Sequence, residues 1–140
     1  QPRRPPPPAL AHPELPLLYS HEAARELTPC ERTISADKLR EVRRSDGLVG
    51  LAVAANYAGK DRASLMKHAA ILARDAGPKA VVIGSDFNGL ISRIDGVPGP
   101  SAYASLLKEL AAAGIPAQRG AEAFVGMWRR TLALRKTVRP

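Results

Sequence analysis

The sequence predicts an α/β fold built around a parallel sheet, and three observations carry that expectation. The runs "LPLLYSH" (15–21), "LVGLAVAA" (48–55) and "KAVVIGSD" (79–86) are apolar almost throughout rather than alternating, the pattern of strands buried on both faces. Between them lie segments of helical spacing with recognisable starts and stops. Each run closes on polar or reactive residues: Ser20-His21, Asn56-Tyr57 and Ser85-Asp86. In α/β folds that end of the strands is where functional groups gather.

The elements follow in order. Residues 1–13, "QPRRPPPPALAHP", read as a proline-rich, disordered leader without the apolar stretch of a secretory signal. The first strand follows. In "ISADKLREVRRSDG" (34–47) Ser35 can cap a helix, Asp37 sits in its first turn, and Ile34 and Leu39 are spaced as a hydrophobic staple. Gly47 ends that helix, and the second strand runs into Asn56 and Tyr57. Leu65, Ala69, Leu72 and Ala76 mark a second helix, stopped by Gly77-Pro78. The third strand then enters "VVIGSDFNGL" (81–90). Tyr103, Leu106, Leu107 and Leu110 mark another helix, ended by Gly114 and Pro116, and a last helix covers about 117–134. The order is β-α-β-α-β-α-α. Three strands make either a small open sheet or the last stretch of something larger.

Composition narrows the function classes. The 140 residues carry a formal charge of +8, but Arg3 and Arg4 lie in the leader and five more basic residues follow Glu122, the last acid. Between positions 5 and 122 stand 14 basic and 13 acidic residues, so the body is nearly neutral with basic ends. Without aromatic-basic interleaving, that pattern weighs against nucleic-acid binding. No apolar run approaches the ~20 residues of a membrane span. A single cysteine, Cys30, excludes an intrachain disulfide, and with no paired histidine motif it is a poor nucleophile candidate.

Two stretches carry a resemblance. "YSHEAARELTPCERTISADKLREV" resembles the segment of the membrane (renal) dipeptidase family that reads Ser-His-Ser-x-Ala, then an Arg about ten residues on, then the entry to a helix. "VVIGSDFNG" is similar to that family's Gly-(Gly/Ser)-Asp-Phe-Asp-Gly motif, and "SAYASLLKELAAAGIPAQRGAEAFVGMWRR" to its closing helices. The resemblance spans roughly residues 15–134 with order and spacing intact. It implies the C-terminal part of a (β/α)₈ barrel, about three parallel strands with their helices over 14–134, followed by a basic tail at 135–140. It also implies a two-zinc site that hydrolyses dipeptides with a metal-bridging hydroxide.

By motif, the resemblance makes His21 a zinc ligand, Arg32 the group that holds the substrate carboxylate, and Asp86 the proton-handling carboxylate. Those residue types suit that chemistry. Neutral imidazole binds zinc, guanidinium forms a planar fork for a carboxylate, and a carboxylate near a metal can move a proton. Departures stand beside it. The family's His-x-Asp pair, bridging Glu and second histidine are absent, and its second motif Asp and closing-helix Asn are Asn88 and Met127 here. The chain therefore reads as an incomplete dipeptidase needing sequence outside itself, through a companion chain or a longer parent. The alternative is a non-catalytic dipeptidase-derived binding or assembly module, and uncovered strand edges predict a companion chain or self-association.

Plainer readings apply to each residue as well. His21 could be a hydrogen-bonded structural histidine, Arg32 a helix-entry residue, and Asp86 a turn cap. His68 reads as a helix-packing histidine, His12 as an unlikely ligand, and Gly126 and Trp128 as helix packing.

Overall fold

The computed structural model describes residues 14–87 and 92–135. The expected leader with His12, the motif residue Asn88, and the tail beyond Arg135 lie outside them. Three parallel strands, β1 (Leu18–Glu22), β2 (Leu48–Leu51) and β3 (Val81–Ile83), form one sheet in the order β1-β2-β3. Helix α1 (Ala36–Arg44) connects β1 to β2; a short turn α2 (Ala55–Ala58) and α3 (Arg62–Ala76) connect β2 to β3. Helices α4 (Tyr103–Ala112) and α5 (Gly120–Arg135) close the chain. The α/β class and the parallel sheet are as the strand patterns predicted.

Burial explains the arrangement. Central β2 is buried at all four positions, because helices cover it and a strand lies on either side. Leu39 and Val42 of α1, Leu65, Ala69 and Leu72 of α3, and Leu106 and Leu110 of α4 join Val49, Leu51 and Val81 in one core. Burying a leucine contributes about 1.5–3 kcal/mol, so these helical stripes hold the layers together. Ser35 caps α1 by accepting from the Lys38 N–H, and both staple residues, Ile34 and Leu39, are buried.

Four details differ from expectation. Strand β2 ends at Leu51 instead of reaching Ala55. Ala52 and Val53 donate to Glu22 and Ser85 on opposite neighbours, and the alanine-rich chain then winds into α2. Asn56 and Tyr57 therefore lie in a helical turn, with Asn56 exposed and Tyr57 packed on the core. The left-handed residue after α1 is Asp46 (φ 52°), not Gly47. Glycine is required at 47 for space, since a Cβ there would lie 2.1 Å from the Leu17 carbonyl oxygen. In α5 the inward residue is Met127, and Trp128 is 55% exposed, so it does not pack.

The register of β1 against β2 is irregular. Tyr19 pairs with Val49 and Glu22 with Leu51, so β1 carries one residue more than β2 over this span. Ser20 and His21 share the bulge, which re-aims side chains as bulges do. The Ser20 carbonyl swings over the sheet and seats against two glycines. A Cβ on Gly50 or on Gly84 would stand 1.9 Å from that oxygen, and each would also crowd the other glycine's Cα at 2.9 Å.

The loop after β1 is fixed by a buried histidine. His68 of α3 is 2% exposed, and its Nδ1 accepts from the Ala24 N–H at 3.0 Å. The packing role expected for His68 is therefore what it has.

Two predictions follow from this architecture. Gly50→Ala or Gly84→Ala should destabilise the chain by about 1–3 kcal/mol in urea titration, since the clashing atoms are backbone and cannot rotate aside; an unchanged midpoint would refute the notch. Burial lowers the His68 pKa, because the charged imidazolium loses its hydration there. The sign follows: its contribution is complete above the unfolded value of ~6.5 and is lost as pH falls below it, with a slope of up to about 1.4 kcal/mol per pH unit. His68→Gln should flatten that acid limb of a stability-against-pH curve.

Candidate functional site

Three segments converge at the C-terminal end of the sheet. The bulge in β1 presents His21. The loop that follows is pinched at its base, where Arg25 N–H donates to the Ile34 carbonyl and Ile34 N–H to that of Ala23, both at 2.9 Å. Within it the buried Thr33 hydroxyl lies 2.8 Å from the Thr28 carbonyl and 2.7 Å from that of Cys30, and the Thr33 N–H also donates to Cys30. The Arg25 guanidinium donates to the Thr33 carbonyl at 2.5 Å. This bonding holds a tight turn in which Pro29, Cys30, Glu31 and Arg32 are exposed.

Asp86 comes from the opposite side. It lies three residues beyond β3, in a segment held at both flanks. The Ser85 carbonyl accepts from the Val53 N–H at 3.3 Å, and the Phe87 ring stacks on Tyr103 with centroids 5.6 Å apart. Asp86 itself adopts φ 59°, in the left-handed region. A side chain held there costs roughly 1–3 kcal/mol and persists only where its surroundings enforce it, which is common at functional sites. Farther along, Arg62 of α3 bridges the next loop: its guanidinium donates to the Gly96 carbonyl at 2.8 and 3.0 Å, to Ser105 at 2.7 Å, and pairs with Glu109.

The three residues singled out from the sequence meet. Arg32 Nη2 donates to His21 Nε2 at 3.3 Å, and Asp86 Oδ2 lies 3.8 Å from the same nitrogen. The His21 and Asp86 side chains remain 35% and 43% exposed, open to an incoming molecule. A nitrogen lone pair, a guanidinium fork and a carboxylate thus share one spot. That set can ligate a cation, hold a carboxylate and accept a proton. A cavity of about 480 Å³ opens at the other end of the strands, between Val42, Leu48 and Gly126, and none of these three residues lines it.

Metal chemistry is only partly provided for. Among the described residues, no group of three His, Cys, Asp or Glu side chains could hold an ion. Cys30 is exposed, and its sulfur approaches only the Thr33 hydroxyl.

Two neighbours of His21 were given no role of their own from the sequence. Ser20 Oγ lies 2.8 Å from His21 Nδ1. Glu22, next along the strand, is half-buried; burial pushes its carboxyl pKa up, against the pull of His21, Arg32, Lys38 and Arg25. The signal for Glu22 was a charged residue closing a buried strand. Ser20 stood in the sequence as part of the polar Ser20-His21 strand end, but the reach of its hydroxyl to the ring depends on the bulge.

Comparison with known proteins gives the site a context. Residues 8–124 match the family model described as membrane dipeptidase (peptidase family M19). The chain is 29% identical over 136 residues to the dipeptidase ataJ of Aspergillus terreus, covering 93% of this chain and 32% of that protein. It is 31% identical over 106 residues to the dipeptidase aclJ of Aspergillus oryzae, covering 71% and 25% respectively. A metallo peptidase from Rhodobacter sphaeroides, solved with a phosphinate mimic of L-Ala-D-Ala, superposes with a TM-score of 0.74 at 27% identity. That match covers 84% of this chain and 37% of the other. The chain spans about a third or less of the length of these relatives.

The left-handed backbone at Asp86 gives a stability prediction independent of activity. Asn tolerates that region, so Asp86→Asn should leave the unfolding free energy within about 0.5 kcal/mol, whereas Asp86→Val should cost about 1–3 kcal/mol. Equal midpoints for the two variants in chemical denaturation would remove the strain from this account.

Proposed function

We infer the function from one premise: the chain belongs to the membrane dipeptidase family, peptidase family M19. On that premise it is the C-terminal part of a zinc-dependent dipeptidase whose (β/α)₈ barrel and metal site are completed by sequence outside it. The observation that supports this reading is the convergence of His21, Arg32 and Asp86, from three separate segments, at one end of a parallel sheet. That end is where barrel enzymes carry their chemistry.

The roles follow from the groups. His21 supplies an imidazole nitrogen to the metal, whose chemistry when bound is to activate water for attack on the peptide carbonyl. The donor type fits, but a catalytic zinc usually takes three protein ligands, and the remaining ones must come from elsewhere. Arg32 binds the dipeptide's terminal carboxylate through its planar fork. Asp86 takes a proton from the attacking water and delivers it to the leaving amine. Among the described residues the outer edges of β1 and β3 pair with no further strand, which suits a sheet that continues into a companion polypeptide or a longer parent.

The shortage of ligands, with Phe124, Trp128 and Leu132 exposed at i, i+4 and i+8 on α5, favours a second reading. In it the chain is a non-catalytic dipeptidase-derived module that works by binding or assembly.

Both readings predict an inactive isolated chain, and hydrolysis by a completed protein separates them. The chain alone, supplied with zinc, should show no dipeptide turnover; robust turnover abolished by a chelator would overturn the incompleteness. In a completed enzyme Arg32→Lys should act mainly on KM, by about 1.5–3 kcal/mol, because the carboxylate is held alike in ground and transition states. Asp86→Asn should lower kcat by about 10²–10⁴-fold with little change in binding. Near-parental kcat in that variant would return Asp86 to a turn cap.

A further inference from the structure

We propose that helix α5 docks this chain on an anionic lipid surface, with its apolar ridge in the headgroup layer and the candidate site facing the water. The proposal does not depend on either reading of that site.

The ridge follows from the helix period. On the side of α5 turned toward the sheet, Met127 is buried, and Ala123, Gly126 and Arg130 line the cavity at the N-terminal end of the strands. Arg130 fastens the helix there, donating to the Asp46 carbonyl at 3.0 Å and pairing with its carboxylate at 3.1 Å. At roughly 100° per residue, Phe124, Val125, Trp128 and Leu132 fall on the opposite side of the helix. Their side chains are 42–55% exposed. Large apolar residues along one face, with Arg129 exposed at its flank, make the pattern of a helix that lies in a lipid interface. Among the described residues no helix is long and apolar enough to cross a membrane, so α5 would lie on the surface.

Charge selects the occupant. Residues 123–140 contain five basic residues and no acid. Arg43 and Lys79 stand exposed around the cavity at the same end of the sheet. The acids there are already paired, Asp46 with Arg130 and Glu122 with Arg119. A second copy laid on the ridge would bring these like charges together. An anionic lipid layer instead offers apolar depth to the Phe124 and Trp128 rings and negative charge to the guanidinium groups. Arginine stems are long enough to reach the headgroups from beside such rings. His21, Arg32 and Asp86 lie at the C-terminal end of the strands, away from this face.

Trp128 is the only tryptophan, so its fluorescence reads the ridge directly. The full 140-residue chain is mixed with vesicles of phosphatidylcholine containing phosphatidylglycerol, or of phosphatidylcholine alone. The expected result is a blue shift of Trp128 and co-flotation with the anionic vesicles only, both lost in about 1 M salt, where charges are screened within ~3 Å. Phe124→Ser combined with Leu132→Ser should weaken partitioning about tenfold or more, as should Arg129→Glu. All three positions are exposed, so folding is retained, and circular dichroism checks it. No shift with anionic vesicles, or equal binding to neutral ones, would overturn the proposal. Unchanged binding in the folded variants would also overturn it, assigning attachment to the basic tail alone. A Trp128 shift that grows with protein concentration without lipid would give the face to a second copy. The same shift with soluble polyglutamate would give it to an acidic protein.

Discussion

The arrangement turns on one close contact, the Ser20 carbonyl resting between Gly50 and Gly84. It is a contact among backbones of three neighbouring strands, so no side-chain rotation can relax it. Removing space there shifts β1 relative to β2 and carries His21 with it. The extra residue in β1 exists only because the two glycines leave a notch for it. Packing density in protein interiors leaves little slack for such an insertion unless room is made.

Around that contact the site is assembled from parts that each owe their position to something else. His21 is placed by the bulge, Arg32 by a loop bonded through Thr33 and Arg25, and Asp86 by a left-handed residue between a strand hydrogen bond and an aromatic stack. His68 reaches across from α3 to hold Ala24, so the core helix and the functional loop share a fastening. Electrostatically the site is mixed. Arg32, Lys38 and Arg25 offset the burial of Glu22, and no single sign dominates.

The family context bears on the architecture first. A match over residues 8–124, with a TM-score of 0.74 to a metallo peptidase, accounts for the order of elements. The chain spans about a third or less of the length of the curated relatives, and among the described residues its sheet has three strands. The exposed face of α5 departs from the rest, because apolar residues at helical spacing are ordinarily covered. Trp128, read from sequence as packing, stands on that face.

Much was legible in the residues alone. Uninterrupted apolar runs reported the strands, although only β2 is buried throughout and β1 leaves Leu18 and Ser20 exposed, and caps and stop residues reported helix ends, because these are local properties of a short window. His21, Arg32 and Asp86 were legible through motif order and spacing. What the sequence could not contain was the meeting of those three within 3.3 and 3.8 Å, since they are separated by 11 and 54 residues along the chain. Nor could it place the Ser20 hydroxyl on His21. That contact depends on one extra residue in β1, and a strand's register is settled by its neighbours, here by two glycines 34 positions apart. The local code specified which groups were available, and the tertiary packing of backbone against backbone decided where they point.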